Sequence, residues 1–151
     1  MKVKKTILFI CTGNTCRSPM AEALLKAELK NRGIENKYDV RSAGLYASLG
    51  NISNGAKNAL ERLGISEFSH FAVQLDAAML FSSDIVLCMT QAHKMSLKNA
   101  ENVFTLHEFV GESGDVSDPY GGDDLTYYNT ASELLRLIKL CADKLENKTE
   151  E

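Results

Sequence analysis

No stretch of this chain stays apolar long enough to cross a membrane. Its N-terminal run, Thr6 to Ile10, leads straight into polar sequence. A span needs about 20 apolar residues and the core of a signal peptide about 7–15, so neither is expected there. Proline is scarce, with two in 151 residues. No repeat, low-complexity tract or linker breaks the chain, and the length suits one domain over 1–151 with one sizeable core. An excess of positive charge is also missing: the formal net charge is -3, which argues against nucleic acid as a partner. The four cysteines lack the paired short spacings of a zinc site. Cys11 and Cys16 are five apart, and Cys88 and Cys141 stand alone in apolar surroundings, so no metal is expected. Nothing points to a secretory compartment, and the expectation is a cytoplasmic protein with reduced thiols.

What is present alternates between strand and helix patterns. "KKTILFIC" favours a strand, and "SPMAEALLKAELKNRG" favours a helix with Ser18 as N-cap, Pro19 at its first position and Gly33 at its end. "KYDVRSAG" reads as a second strand, and "NGAKNALERLG" as a short helix facing inward through Ala56, Leu60 and Leu63. A helical turn or two follows Asp76. "SDIVLCM" is apolar on both faces, as a parallel sheet requires. "TQAHKMSLKNA" is a helix candidate, "NVFTL" a short strand, and Leu125 to Glu146 carries Ala131, Leu134, Leu135, Ile138, Cys141, Ala142 and Leu145 at amphipathic spacing. The polar tail from Glu146 is expected to fray. Strands alternating with helices predict an α/β layered fold with a mostly parallel sheet.

In such folds ligands sit beyond the carboxyl ends of strands, at helix N-termini. "CTGNTCR" occupies that place. It lacks the G-x4-G-K-[ST] pattern of a nucleotide-binding loop. Its length lets successive peptide N–H groups face one concavity, a nest for a tetrahedral oxyanion. Gly13 and Asn14 tolerate the unusual dihedrals that such a turn needs. The helix that follows adds its positive end. Cys11 then sits in an electropositive cup that favours a thiolate nucleophile. Arg17 offers a planar fork that clamps two phosphoryl oxygens. Chemistry through a thiolate also needs a proton donor for the leaving group and a base for the later attacking water. The acidic loop "GDVSDPYGGDD" supplies Asp115, Asp118, Asp123 and Asp124 as candidates, and composition does not choose among them.

"CTGNTCRSPMAE", with "VRSAG" and a distal "DPYGG", resembles the low-molecular-weight protein tyrosine phosphatase family over essentially the whole chain. The resemblance implies a four-stranded parallel sheet with helices on both faces in three layers, a phosphate-binding loop after the first strand, and no cofactor. It implies Cys11 as nucleophile, Arg17 as phosphate ligand and Asp118 as general acid, then base. Thr12, Gly13, Asn14, Thr15, Cys16 and Ser18 would surround the substrate, and Tyr120 would form a pocket wall. Asn14, Ser18, Ser42 and His70 match polar positions that brace the loop. Cys11 and Cys16 are close enough in sequence to form a redox pair across a curled loop.

The family contains enzymes for phosphotyrosine and for protein phosphoarginine. Thr15 is the discriminating position: tyrosine-directed relatives usually carry a bulkier aliphatic residue there, and the arginine-directed bacterial branch resembles this loop as written. The expected substrates are therefore arginine-phosphorylated proteins, with tyrosine-phosphorylated proteins as the alternative. An arsenate reductase would need redox cysteines placed downstream, whereas Cys88 and Cys141 read as buried. A non-catalytic phosphoprotein-binding module would keep Arg17 and the amide nest without needing Cys11 or Asp118.

Overall fold

Side chains of β1 (Lys5–Cys11) alternate between two apolar layers: Ile7, Phe9 and Cys11 enter one, Leu8 and Ile10 the other. That two-sided burial is why the strand lies inside the sheet. The computed structural model describes residues 3–98 and 101–150. After β1 come α1 (Arg17–Asn31), a single 3-10 turn at Glu35–Lys37, β2 (Tyr38–Gly44), α2 (Asn54–Arg62) and α3 (Ala77–Ser82). Then follow β3 (Ile85–Cys88), α4 (Gln91–Ser96), β4 (Val103–Thr105), α5 (Leu106–Phe109) and α6 (Asp124–Glu150). The sheet is four-stranded in the order β2-β1-β3-β4, and every pair is parallel. The larger core takes residues from α1, α2, α5 and α6; the smaller one takes Val86, Cys88 and Val103 against Met79, Leu80 and Leu97 from the α3 and α4 side. This is the expected three-layer α/β/α arrangement.

Chain direction across the sheet reverses at β1. The chain goes out to β2, then returns past β1 to β3. Loops leaving β1 and β3 therefore diverge and open a crevice above the ends of the strands. Register brings Cys11 beside Gly44 and Ile10 beside Cys88.

Most expected elements form, with four differences. Ser18 is not the N-cap of α1: the helix starts at Arg17, with Cys16 as its cap and no side-chain cap bond. The Ser18 hydroxyl is engaged elsewhere, as shown below. Gly33 does end α1, at φ 73°, a left-handed geometry that costs glycine little. The helix over "TQAHKMSLKNA" stops at Ser96, and its expected last residues, Asn99 and Ala100, lie outside the described residues. A short helix, α5, was not expected; Thr105 and Glu108 form a capping box that starts it. The helix runs past the expected start of the tail at Glu146, with α6 continuing to Glu150. Among the described residues, no helix is long and apolar enough to cross a membrane.

Candidate active site

The turn from Cys11 to Arg17 is held from outside by its carbonyls. The peptide N–H groups of Leu45, Tyr46, Ser48 and Ser53 donate to the carbonyls of Cys11, Thr12, Gly13 and Thr15, at 3.0, 3.0, 3.0 and 2.9 Å. With its oxygens drawn outward, the turn keeps its N–H edges for the concavity. Asn14 takes φ 58°, a left-handed geometry that asparagine tolerates better than most residues. The packing of β2 against this turn requires Gly44: a Cβ there would lie 2.6 Å from the Thr12 carbonyl oxygen.

A buried polar chain supports the turn from beneath. Asn14 is fully buried, and its Nδ2 donates to Ser18 Oγ at 2.8 Å and Ser42 Oγ at 3.0 Å. Its Oδ1 accepts from the Val73 N–H at 2.8 Å and from His70 Nε2 at 2.9 Å. The Ser42 hydroxyl in turn donates to Glu22 Oε1 at 2.6 Å. Ser18 Oγ accepts from Asn14 and lies 2.8 Å from Cys11 Sγ; with Cys11 as a thiolate, the hydroxyl hydrogen points to the sulfur. The Asn14 N–H donates to the same sulfur at 3.3 Å. Two donors converging on one sulfur suit a thiolate. His70 Nε2 faces two Asn14 oxygens and must carry the proton. Burial outweighs the pull of Glu22, whose carboxylate is shared with Ser42 and Lys26, and holds the pKa of His70 below the ordinary imidazole value.

Arg17 is buried at 7% side-chain exposure, with Nη1 donating to the Val116 carbonyl at 3.1 Å. Its Nη2 lies 3.6 Å from Asp118 Oδ2, too long for a hydrogen bond and close enough for attraction. Asp118 itself is 55% exposed, so solvent and substrate can reach it. The loop carrying Asp118 is docked by the Val116 N–H on the Met89 carbonyl at 2.9 Å, and by Asp115 Oδ1 accepting the Gln91 N–H at 2.8 Å. The competing carboxylates are occupied or remote. Asp115 holds α4, Asp123 accepts from the Thr126 N–H and hydroxyl at the start of α6, and Asp124 is the first residue of that helix.

One pocket of about 210 Å³ is lined by the loop from Cys11 to Arg17 together with Asp118, Tyr120, Tyr46 and Ser48. It thus gathers Cys11, Thr12, Gly13, Asn14, Thr15, Cys16, Arg17, Asp118 and Tyr120 from the sequence-based set. Ser18, Ser42 and His70 stand behind the loop instead. Cys16 Sγ meets Ser53 Oγ at 3.3 Å and the Tyr127 hydroxyl at 3.6 Å. Glu22 and His93 were missed. Glu22 reads as half of a helical surface pair with Lys26, yet it is buried and ends the polar chain. His93 bonds Thr12 across 81 residues at 2.9 Å, a contact with no local signal. Cys88 is fully buried, and burial pushes its thiol up to about 12, which makes it a poor redox partner.

The sequence pattern described as low molecular weight phosphotyrosine protein phosphatase matches residues 6–151. A protein-arginine-phosphatase of Bacillus subtilis is 42% identical over 147 residues, covering 93% of this chain and 96% of the relative. The low molecular weight protein-tyrosine-phosphatase PtpB of Staphylococcus aureus is 40% identical over 140 residues, covering 87% and 93%. A solved YwlE arginine phosphatase, a cysteine-to-serine mutant with its active-site serine phosphorylated, superposes with a TM-score of 0.88 at 40% identity, covering 93% of this chain and 95% of that one. A strand-end cysteine, a carbonyl-tethered turn and matches along nearly the full length lead to one conclusion: the chain belongs to the low molecular weight phosphotyrosine protein phosphatase family.

Proposed function

We propose that this protein is a protein-arginine phosphatase that hydrolyses phosphoarginine on proteins through a phosphoryl group carried on Cys11. The observation that carries this reading is the single pocket in which Cys11, Arg17, Asp118 and Thr15 meet. Arg17 and the loop amides hold the phosphoryl oxygens as charge builds on them. Asp118 protonates the departing guanidine nitrogen, then takes a proton from the water that cleaves the cysteinyl phosphate. The relative whose substituted serine carries a phosphoryl group supports this covalent route. The deep burial of Cys88 and Cys141 speaks against arsenate reduction.

Thr15 separates arginine from tyrosine. It is half-buried on the pocket wall, and its hydroxyl makes a long 3.8 Å contact to Cys16 Sγ. That leaves Oγ1 able to bond a guanidinium N–H or its water. The test compares kcat/KM on a phosphoarginine protein and on a phosphotyrosine peptide, using one preparation of wild type and of T15I. Isoleucine adds bulk and deletes the hydroxyl. A lost hydrogen bond of about 0.5–1.5 kcal/mol corresponds to a fall of roughly 2- to 13-fold on phosphoarginine, and the clash adds to it. Phosphotyrosine turnover survives or rises. Equal losses on both substrates would make Thr15 a support of the loop, and a wild-type preference for phosphotyrosine would favour the tyrosine-phosphatase alternative.

Both loop cysteines line the pocket as thiols. With Cys16 as resolving thiol, mild peroxide inactivates the enzyme and a reductant restores it, because an internal disulfide intercepts the sulfenic acid on Cys11. Mass mapping after oxidation checks this. Cys11 passing directly to sulfinic acid, with no Cys11–Cys16 linkage, would remove the redox pair.

A further inference from the structure

Thr12 and His93 form a pair that the mechanism above does not use. Thr12 is exposed and lines the pocket; His93 is buried, on α4, with Nε2 placed 2.9 Å from Thr12 Oγ1. Thr90 Oγ1 accepts the His93 N–H at 3.1 Å, fixing the backbone from which the ring projects. The other ring nitrogen, Nδ1, is buried with no hydrogen-bond partner. That atom decides the tautomer. A buried N–H with nothing to accept it is less tolerable than a buried lone pair, so Nδ1 is bare and Nε2 carries the proton. His93 therefore donates to Thr12 Oγ1. The Thr12 hydroxyl, having accepted one bond, keeps its own hydrogen for another partner, and Thr12 lines the same pocket as Cys11.

The ring's surroundings keep it neutral. Burial and the nearby Arg17 lower its pKa to about 4, against the opposing pull of Asp115 and Asp118. A neutral ring adds no charge that would compete with Arg17 for Asp118 or for a phosphoryl oxygen.

We propose that His93 is a positioning residue: its Nε2–H holds the Thr12 side chain so that the Thr12 hydroxyl donates to the phosphoryl group seated over Cys11. This adds a side-chain donor to the backbone amides, and it rests on the reading of the pocket as a phosphoryl site.

The test is calorimetric titration of inorganic phosphate into wild type, T12V, H93A, H93Q, H93N and the double variant T12V/H93A. Kinetics on an aryl phosphate and thermal melts accompany it. T12V and H93A each weaken phosphate binding roughly 10- to 100-fold, the worth of one hydrogen bond to an anion. The double variant is no weaker than either single one, because both remove the same contact. H93Q, whose amide nitrogen can reach the place of Nε2, recovers most of the affinity, whereas the shorter H93N does not; this contrast carries the test if H93A fails to fold. Variants that melt earlier but bind phosphate like wild type would overturn the inference and leave the phosphatase reading standing. So would additive losses in the double variant. Wild type that binds no phosphate would overturn both.

Discussion

Cys11→Ser is expected to cut kcat by roughly 10⁴-fold or more while leaving phosphate affinity within a few-fold of wild type. The two consequences have different origins. Turnover depends on a sulfur that can hold negative charge, one that accepts from the Asn14 N–H and faces the Ser18 hydroxyl. A serine oxygen at the same point stays a neutral hydroxyl, a far weaker nucleophile. Binding depends on Arg17 and the carbonyl-tethered turn, which the substitution leaves in place. Rapid quenching of wild type during turnover should trap phosphate on Cys11, identified by mass mapping under conditions that spare a thiophosphate. A fully active C11S protein would remove Cys11 from the chemistry. Wild type that binds phosphoprotein and releases no phosphate would instead point to a binding module.

The fold could be read wherever a physical requirement acts locally. Val86, Leu87 and Cys88 are apolar on both faces because β3 is buried on both faces. Ala131, Leu134, Ile138 and Cys141 keep helical spacing because one stripe of α6 faces the core. The phosphate loop could also be read, since its residues are consecutive. Ser18 shows the limit of local reading. A serine before a proline and an apolar run satisfies the rules for a helix cap, yet the hydroxyl faces Cys11 and Asn14, and the first turn of α1 is left without a side-chain cap. The polar chain beneath the loop takes the group that local stability would have used. Glu22 was hidden for the opposite reason, because its pairing with Lys26 imitates a solvated helix face. Only the distant Ser42 and Asn14 give its burial meaning.

Asp118→Asn is expected to slow phosphoarginine hydrolysis by roughly 10²–10⁴-fold and to slow an aryl phosphate less. Asparagine keeps the size of the side chain and an oxygen to accept the Tyr120 N–H, now 3.1 Å from Asp118 Oδ1. The loop keeps its anchors at Val116 and Asp115, so geometry should survive while proton transfer is lost. A guanidine nitrogen cannot leave without a proton, whereas a nitrophenolate leaves nearly unaided. The first chemical step is therefore crippled only for phosphoarginine. The second step, attack of water on the cysteinyl phosphate, loses its base whichever substrate loaded the enzyme. Stopped-flow traces should separate the two: D118N with a nitrophenyl phosphate gives a burst of product near one equivalent of enzyme followed by a slow steady state, and with phosphoarginine it gives slow release and no burst. Equal and negligible losses on both substrates would move the acid elsewhere. The neighbouring carboxylates are poorly placed to inherit it, because Asp115 is bonded to the start of α4 and Asp123 to the start of α6.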